Sequence, residues 1–571
     1  MRYFCLCSDY DGTIAGDGQV SAGTIAALQR LSASGRKLIL NTGRELKDLL
    51  SVFPDVGMFD RVVAENGALL YHPATRDQKA LADPPPHEFV EELERRGVHP
   101  LSVGNCIVST WHPNETIVLD VIRTLGLGLQ VTFNKGAVMI LPSGVNKGSG
   151  LLVALEELRL SPHNVVSVGD AENDHAFMGI SECSVAVANA LDALKNRVDL
   201  VTQGSRGTGV EELIDHMLSD DLQSLSPRLS RHRILLGRTE KGEEVRVDPY
   251  GSQLLVAGPS GSGKSTTVLA IVERLLEKQY QICVIDPEGD YDDVEQMVTL
   301  GGPDRIPGLS EIQEVLNTGK QSLSINLLGI ALADRPSFFQ TLLSRLQESR
   351  SQTGRPHWII IDEAHHLLPA GLDSAGLTTP KELANFALVT VHPDHVSQAI
   401  LSQVNGVIAV GPDPRSVFTQ FNAGSGQTLN VARSAAPKSP DQVVVWQSFD
   451  SQEPVTVTIE PAKTELRRHR RKYAAGELGE DKSFYFRGPD GKLNLRAQNM
   501  NMFAQLAEGV DRETWTYHLR NSDYSRWLRE SVKDQAIADE VGIVEQDKQL
   551  EPSESLRIVV DAIRRRYTAP A

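Results

Sequence analysis

Over the first 218 positions, apolar residues gather in short unbroken runs such as RYFCLC, KLILNTGR and DRVVAEN. Between them lie stretches such as AGTIAALQRLSASG, whose apolar positions recur every three to four residues. Short apolar runs predict strands covered on both faces, and the interleaved helical spacing predicts the crossover helices that parallel strands need. The expected product is an α/β sheet with ligands at the carboxyl ends of its strands. From about residue 71 to 142 the rhythm changes: a helix is predicted over Glu88–Arg96, then a Pro-rich turn and the strands LQVTF and AVMIL. This stretch reads as a smaller α/β cap inserted into the first domain.

Residues 219–233, SDDLQSLSPRLSRHR, are polar, Ser-rich and contain a proline, which suits a linker. A second α/β rhythm occupies 234–460, with the continuous apolar strands QLLVAG, QICVID, HWIIID and NGVIAVG. Residues 461–483 turn from basic to acidic and are expected to link or to lie on the surface. The remainder, 484–571, has Phe503 and Leu506, Trp515 and Leu519, and Tyr524, Trp527 and Leu528 at helical spacings. A mainly helical region whose aromatic stripe forms a core follows.

Composition narrows the picture in three ways. A chain of 571 residues is longer than one hydrophobic core serves, so two to four domains are expected. A net charge of −17 repels polyanions at long range, so contact with nucleic acid would need a local basic patch such as Arg467, Arg468, Arg470, Arg471 and Lys472, or Arg564–Arg566. The five scattered cysteines have neither zinc-site nor disulfide-framework spacing, and no segment has the length and apolarity of a membrane span. A reducing, cytoplasmic setting is the expectation.

The stretch CSDYDGT places Asp9 and Asp11 at the end of the first apolar strand, where the two carboxylates can face a crevice and hold a divalent cation. Gly12 permits the sharp turn and Thr13 offers a hydroxyl to it. Thr42 ends a second strand, Lys147 precedes a helix in SGVNKGSG, and VVSVGDAENDHAF ends a further strand with Asp170, Asn173 and Asp174. Together these supply a nucleophile, a general acid, a hydroxyl and a cation for phosphate oxygens, and acidic metal ligands. These motifs, in this order and joined by ENGALL, resemble the haloacid dehalogenase (HAD) superfamily phosphatases, nearest the Cof-like and sucrose-phosphate-phosphatase-like branch. The resemblance implies a HAD Rossmann-like domain in which Asp9 attacks phosphorus and Asp11 protonates the leaving oxygen and then activates water. It implies that Thr42 and Lys147 hold phosphoryl oxygens, and that Asp9, the Asp11 carbonyl and Asp170 bind Mg2+, with Asn173 and Asp174 supporting the site.

The second motif, GPSGSGKST, follows the strand QLLVA and opens the helical pattern TTVLAIVERLLEK, the setting of a P-loop. Gly258, Gly261 and Gly263 let backbone N–H groups approach nucleotide phosphates, Lys264 neutralises their charge, Ser265 can ligate Mg2+, and Thr266 continues the cradle. Asp362 and Glu363 end the strand HWIIIDEAHHLLP, the first suited to the Mg2+ shell and the second to polarising a water, so ATP hydrolysis is favoured over binding alone. With VIDPEGDY and VTVHPDHVSQAILSQVNGVIAVG, this half resembles the HerA/FtsK-like ATPases. The resemblance implies a second, P-loop NTPase α/β domain, a homo-oligomeric ring, typically a hexamer, and DNA as partner. One departure stands out: Val391 occupies the position where such ATPases carry a γ-phosphate-sensing Gln. Arg415 is a candidate finger toward a neighbouring subunit.

The expected protein is a bifunctional Mg2+-dependent phosphomonoester hydrolase, acting on a small sugar-phosphate-like substrate, fused to an ATP-hydrolysing motor. Two rivals are a nucleic-acid end-processing kinase/phosphatase and an ATP-gated assembly module without turnover.

Overall fold

A computed structural model describes residues 1–134, 136–228, 231–292, 294–319, 321–371, 385–429, 437–448, 453–463, 478, 483–489, 491–532, 534–547 and 549–567. The basic run Arg467–Lys472 lies outside the described residues.

The first sheet is built from β1 (Cys5–Ser8), β2 (Lys37–Asn41), β3 (Arg61–Ala64), β4 (Leu69–His72) and β5 (Asp77–Ala80), with α1 (Ala22–Ala33) crossing between β1 and β2. The cap follows as α2 (His87–Arg95), β6 (Ser102–Val103), β7 (Val108–Trp111), α3 (Glu115–Leu125), β8 (Leu129–Asn134) and β9 (Ala137–Pro142). The chain then returns through α4 (Lys147–Leu158), β10 (Val165–Gly169), β11 (Cys183–Ala186), β12 (Leu200–Val201) and α5 (Gly207–Asp220). The strand order is β12-β11-β10-β1-β2-β3-β4-β5, parallel from β12 to β3 and antiparallel beyond. The central runs β1 and β10 are buried along their whole length, as a sheet covered on both faces requires. The cap is a separate antiparallel sheet, β8-β9-β7-β6, with its own small core around Phe89, Leu93, Val118 and Ile140.

The second sheet comprises β13 (Ile234–Thr239), β14 (Glu244–Val247), β15 (Gln253–Ala257), β16 (Ile282–Asp286), β17 (Met297–Gly301), β18 (Ser322–Asn326), β19 (Trp358–Ile361), β20 (Phe386–Thr390), β21 (Gly406–Val410), β22 (Gln442–Gln447) and β23 (Val455–Ile459). Its order is β14-β13-β23-β22-β21-β15-β20-β19-β16-β18-β17. The half from β21 to β17 is parallel and the rest antiparallel. Two apolar cores cover its two faces, one around Ile359, Leu388 and Phe418, the other around α6 (Lys264–Glu277) through Val268 and Val272.

The C-terminal region is mainly helical but opens with a short hairpin, Phe484–Phe486 against Leu495–Ala497. Phe503, Trp515, Tyr524, Trp527 and Leu528 are buried in one cluster with Phe484 and Phe486, so the aromatic stripe is core. Leu478, within the span read as a charged linker, joins that cluster. Arg564 and Arg565 pair with Glu508 and Glu540, which leaves that basic cluster largely neutralised.

The two sheets meet at their amino ends. From the first come Arg2, His163, Asn164 and Glu182, all just before strands; from the second come Tyr250, Lys278, Tyr280 and the 354–357 turn, again just before strands. The carboxyl ends of both sheets therefore point away from the joint.

Candidate functional site

In the first domain, Asp9 directly follows β1 and is buried, with Thr13 Oγ1 donating to its Oδ2 at 3.1 Å. Lys147 is fixed by the start of α4: the Asn146 side chain accepts from the backbone N–H groups of Gly148 and Ser149, and Ser149 returns the bond in a capping box. Asn41, at the end of β2, donates to the Lys147 carbonyl at 2.9 Å. So held, the Lys147 ammonium bridges Asp9 Oδ1 at 2.6 Å and Asp174 Oδ1 at 2.7 Å, with all three groups buried. Asp174 Oδ2 accepts the backbone N–H groups of Asp170 and Ala171, which ties Lys147 to the end of β10.

Burial raises the Asp9 carboxyl, and the neighbouring Asp174 and Asp170 add to that against the opposing pull of Lys147. Burial works to lower the Lys147 ammonium, but Asp174 and Asp9 outweigh it and hold it above its ordinary value. Carboxylate oxygens of Asp9, Asp170 and Asp174 lie within 4.8 Å of one another, a hard-oxygen set that fits Mg2+. Thr42 is buried at the end of β2, where its hydroxyl accepts the N–H of Arg44.

Asp11 has a partner that the motif reading missed. Arg44 donates to both of its oxygens, at 2.6 and 2.7 Å, while also pairing with Asp48 at 2.6 Å. The only sequence signal was its place two residues after Thr42. Glu65, in the ENGALL stretch, was also missed. It is buried in the left-handed region (φ 51°) and accepts from Asn105 N, Asn105 Nδ2 and Cys106 N at 3.0, 2.9 and 2.7 Å, fastening the cap onto the core. Beside it Asn66 Oδ1 accepts from Asn173 Nδ2 at 3.0 Å. Met139 of the cap lies against Gly43, where an added Cβ would sit 2.8 Å from its Cε. The cap is thus closed over the carboxyl ends of β1 and β2.

In the second domain, the P-loop runs from Gly258, just after β15, to Lys264, the first residue of α6. An added Cβ at Gly258 would fall 2.0 Å from the Val410 carbonyl oxygen, so only glycine fits there. Gly261 and Gly263 have φ of 75° and 104°, the left-handed values that the loop's curl demands. Lys264 Nζ bonds the carbonyls of Gly258 and Pro259, each at 3.0 Å, so it is folded back onto the loop. Ser265 is partly buried and Thr266 exposed, both in the first turn of α6.

Asp362, just after β19, is buried; Oδ1 accepts the Glu363 N–H, and Oδ2 has no hydrogen-bond partner among the described residues. Burial raises its carboxyl well above the usual range, with Asp286 and Glu363 adding to the effect. A buried carboxylate oxygen with no hydrogen-bond partner among the described residues, on the same carboxyl edge as the P-loop, fits a Mg2+ shell. Glu363 is buried in the left-handed region (φ 44°, ψ 48°), a conformation costly for a side-chain-bearing residue and typical of strain held at functional sites. His365 Nδ1 lies 3.1 Å from Thr390 Oγ1, at the end of β20, and 3.5 Å from Glu363. Val391 is half-buried and adds no polar group, so the hydrogen bonding at this strand end comes from Thr390 and His365. Arg415 is exposed in the first turn of the helix Pro414–Ser425.

The structure therefore gathers Asp9, Thr42, Lys147, Asp170, Asn173 and Asp174 at one carboxyl edge with Asp11 at its mouth. It gathers the P-loop, Asp362 and Glu363 at another.

Residues 6–106 and 126–214 match the haloacid dehalogenase-like hydrolase family, and residues 236–365 match the central domain of helicase HerA. The chain is 30% identical over 223 residues to phosphoglycolate phosphatase 2 of Saccharolobus solfataricus, covering 38% of this chain and 92% of that protein. It is 30% identical to the phosphoglycolate phosphatase of Methanopyrus kandleri (38% and 97% covered) and 29% identical to that of Methanothermobacter thermautotrophicus (37% and 96%).

Proposed function

Because the chain belongs, through residues 6–214, to the haloacid dehalogenase-like hydrolases and carries a HerA-type ATPase domain behind them, we propose that it hydrolyses a small phosphomonoester at the first site and ATP at the second. The observation that carries the first half is the Lys147 ammonium held between Asp9 and Asp174. It presents a cation and a carboxylate side by side, with their geometry fixed before substrate arrives.

Asp9 Oδ attacks phosphorus in line, the phosphorus–oxygen bond to the leaving alcohol breaks, and Asp11 gives that oxygen a proton. Asp11 then takes a proton from the water that cleaves the aspartyl-phosphate, releasing phosphate and restoring Asp9. Thr42 and Lys147 hold the phosphoryl oxygens, and Arg44 orients Asp11. Mg2+, held through Asp9, Asp170 and the Asp11 carbonyl with Asp174 behind them, would supply further charge neutralisation. The similar proteins act on phosphoglycolate, and this chain's cap closes tightly over the site, so the substrate is a small phosphorylated acid or sugar.

At the second site Lys264 turns from the loop carbonyls to the nucleotide phosphates and Glu363 polarises the attacking water, while Ser265 and Asp362 would hold a Mg2+ that supplies charge neutralisation. The same reading extends to a homo-oligomeric ring acting on DNA, with Arg415 reaching a neighbouring subunit; the match of residues 236–365 to the HerA central domain supports it. Phosphate release from 2-phosphoglycolate and a panel of sugar phosphates tests the first half. We expect turnover that requires Mg2+ and falls on the order of 1,000-fold or more in Asp9→Asn. No release from any member of the panel overturns it.

A further inference from the structure

The joint between the two sheets holds a cluster outside both phosphate sites. Glu182, just before β11, is buried; its Oε1 pairs with Arg2 Nη2 at 2.8 Å, and its Oε2 accepts the Tyr280 hydroxyl at 2.9 Å. His163, just before β10, stacks on Tyr280 with ring centroids 3.8 Å apart. Its Nε2 lies 2.7 Å from the Lys278 carbonyl oxygen, and its Nδ1 lies 2.7 Å from Glu182 Oε2.

A carbonyl oxygen only accepts, so Nε2 carries the ring hydrogen. Nδ1 then faces a carboxylate oxygen at hydrogen-bond distance, a contact that either a proton on Nδ1 or a metal ion bound beside both atoms makes favourable. A third donor faces the same point. His232 Nε2, from the linker, is 3.9 Å from Glu182 Oε2 and is buried without a hydrogen-bond partner among the described residues. A proton on His163 Nδ1 would satisfy one atom and leave His232 stranded. A metal ion satisfies all three, and the Nε2–H donated to Lys278 is the outer-shell bond that commonly orients a ligating histidine.

We propose that His163 Nδ1, Glu182 Oε2 and His232 Nε2, whose ligand atoms lie within 4.8 Å of one another, bind a divalent transition-metal ion of the zinc class that staples two turns of the first domain to the linker, against Lys278 and Tyr280 of the ATPase domain. Two imidazoles and a carboxylate are the donor set that favours zinc over Mg2+. The Tyr280 hydroxyl stays on Glu182 Oε2 and Arg2 on the outer carboxylate oxygen. The ion ties together three chain segments that otherwise meet through side-chain contacts, so its effect is on the rigidity of the joint.

The test is zinc binding to the full chain, stripped with chelator and titrated with Zn2+ in excess Mg2+. About one tightly held zinc ion per chain is expected, with a higher unfolding temperature when it is bound. His163→Gln and His232→Gln should each weaken binding by more than the roughly 10–100-fold typical of losing an outer-shell partner, with unchanged far-ultraviolet circular dichroism. X-ray absorption of the zinc-loaded wild-type chain should read two imidazole nitrogens with oxygen and no sulfur, which tests the ligand set even if a variant misfolds. No retained zinc, sulfur in the shell, or wild-type affinity in either folded variant overturns the proposal and leaves the His163–Glu182 contact as a hydrogen bond alone.

Discussion

Arg44 closes both oxygens of Asp11 in a planar fork that fixes its direction, and in the proposed mechanism one oxygen leaves the fork to carry the proton passed to the leaving oxygen. Arg44→Ala should lower kcat for phosphomonoester hydrolysis by roughly 10- to 100-fold with a smaller change in KM, because positioning rather than binding is lost. Arg44→Lys should not restore it, since an ammonium cannot hold two oxygens in that geometry; steady-state kinetics of both variants check this. On the ATPase side, burial, followed by His366, His392, His395 and Lys264, lowers His365 to about 4. A group with a depressed folded value leaves the unfolded chain holding the extra proton between about pH 6.5 and 4, so stability falls as pH drops through that window. Denaturant unfolding at a series of pH values should show that slope, and His365→Gln should flatten part of it. Asp9, Lys147 and Lys264 were legible because each sits inside a local motif. Arg44 and His365 were not, because their importance arises from partners brought in by other strand ends.

At the scale of elements, the reading worked wherever apolar runs were long and pure. The parallel halves of both sheets follow from strands such as CLCS, VVSVG and WIII, and the cap helix read as Glu88–Arg96 is His87–Arg95. The hairpin opening the C-terminal region escaped notice because its strands have three residues each, too short to display a period. Helix α4 links local chemistry to the site, since its cap residue Asn146 sets where Lys147 begins. Asn146→Ala should cost about 1 kcal/mol in chemical denaturation and reduce turnover by loosening the Lys147 bridge. Gly258→Ala should be harsher, because its methyl group meets a backbone carbonyl of β21 that has no rotamer to escape through. Loss of ATP binding together with a destabilisation of about 1–3 kcal/mol, read by calorimetry and unfolding, is the expected result.

Across the whole molecule, the amino ends of the two sheets abut and their carboxyl ends face outward. With five-residue strands such as β10 and β16 on either side of the joint, the two phosphate sites stand roughly 30 Å or more apart. Product leaving one site crosses solvent to reach the other, so any communication between them runs through the buried joint of Arg2, His163, Glu182, Tyr250 and Tyr280. No helix among the described residues is long and apolar enough to cross a membrane. This back-to-back arrangement was not legible in the sequence, since the residues that make it are ordinary polar positions preceding strands, remote from one another along the chain. The most direct test of two separate phosphate chemistries is a paired hydrolysis assay on Asp9→Asn and Lys264→Ala. Asp9→Asn should abolish phosphomonoester hydrolysis while ATP hydrolysis continues, and Lys264→Ala should do the reverse. Loss of both activities in either folded variant, or phosphomonoester turnover that survives Asp9→Asn, would contradict the account.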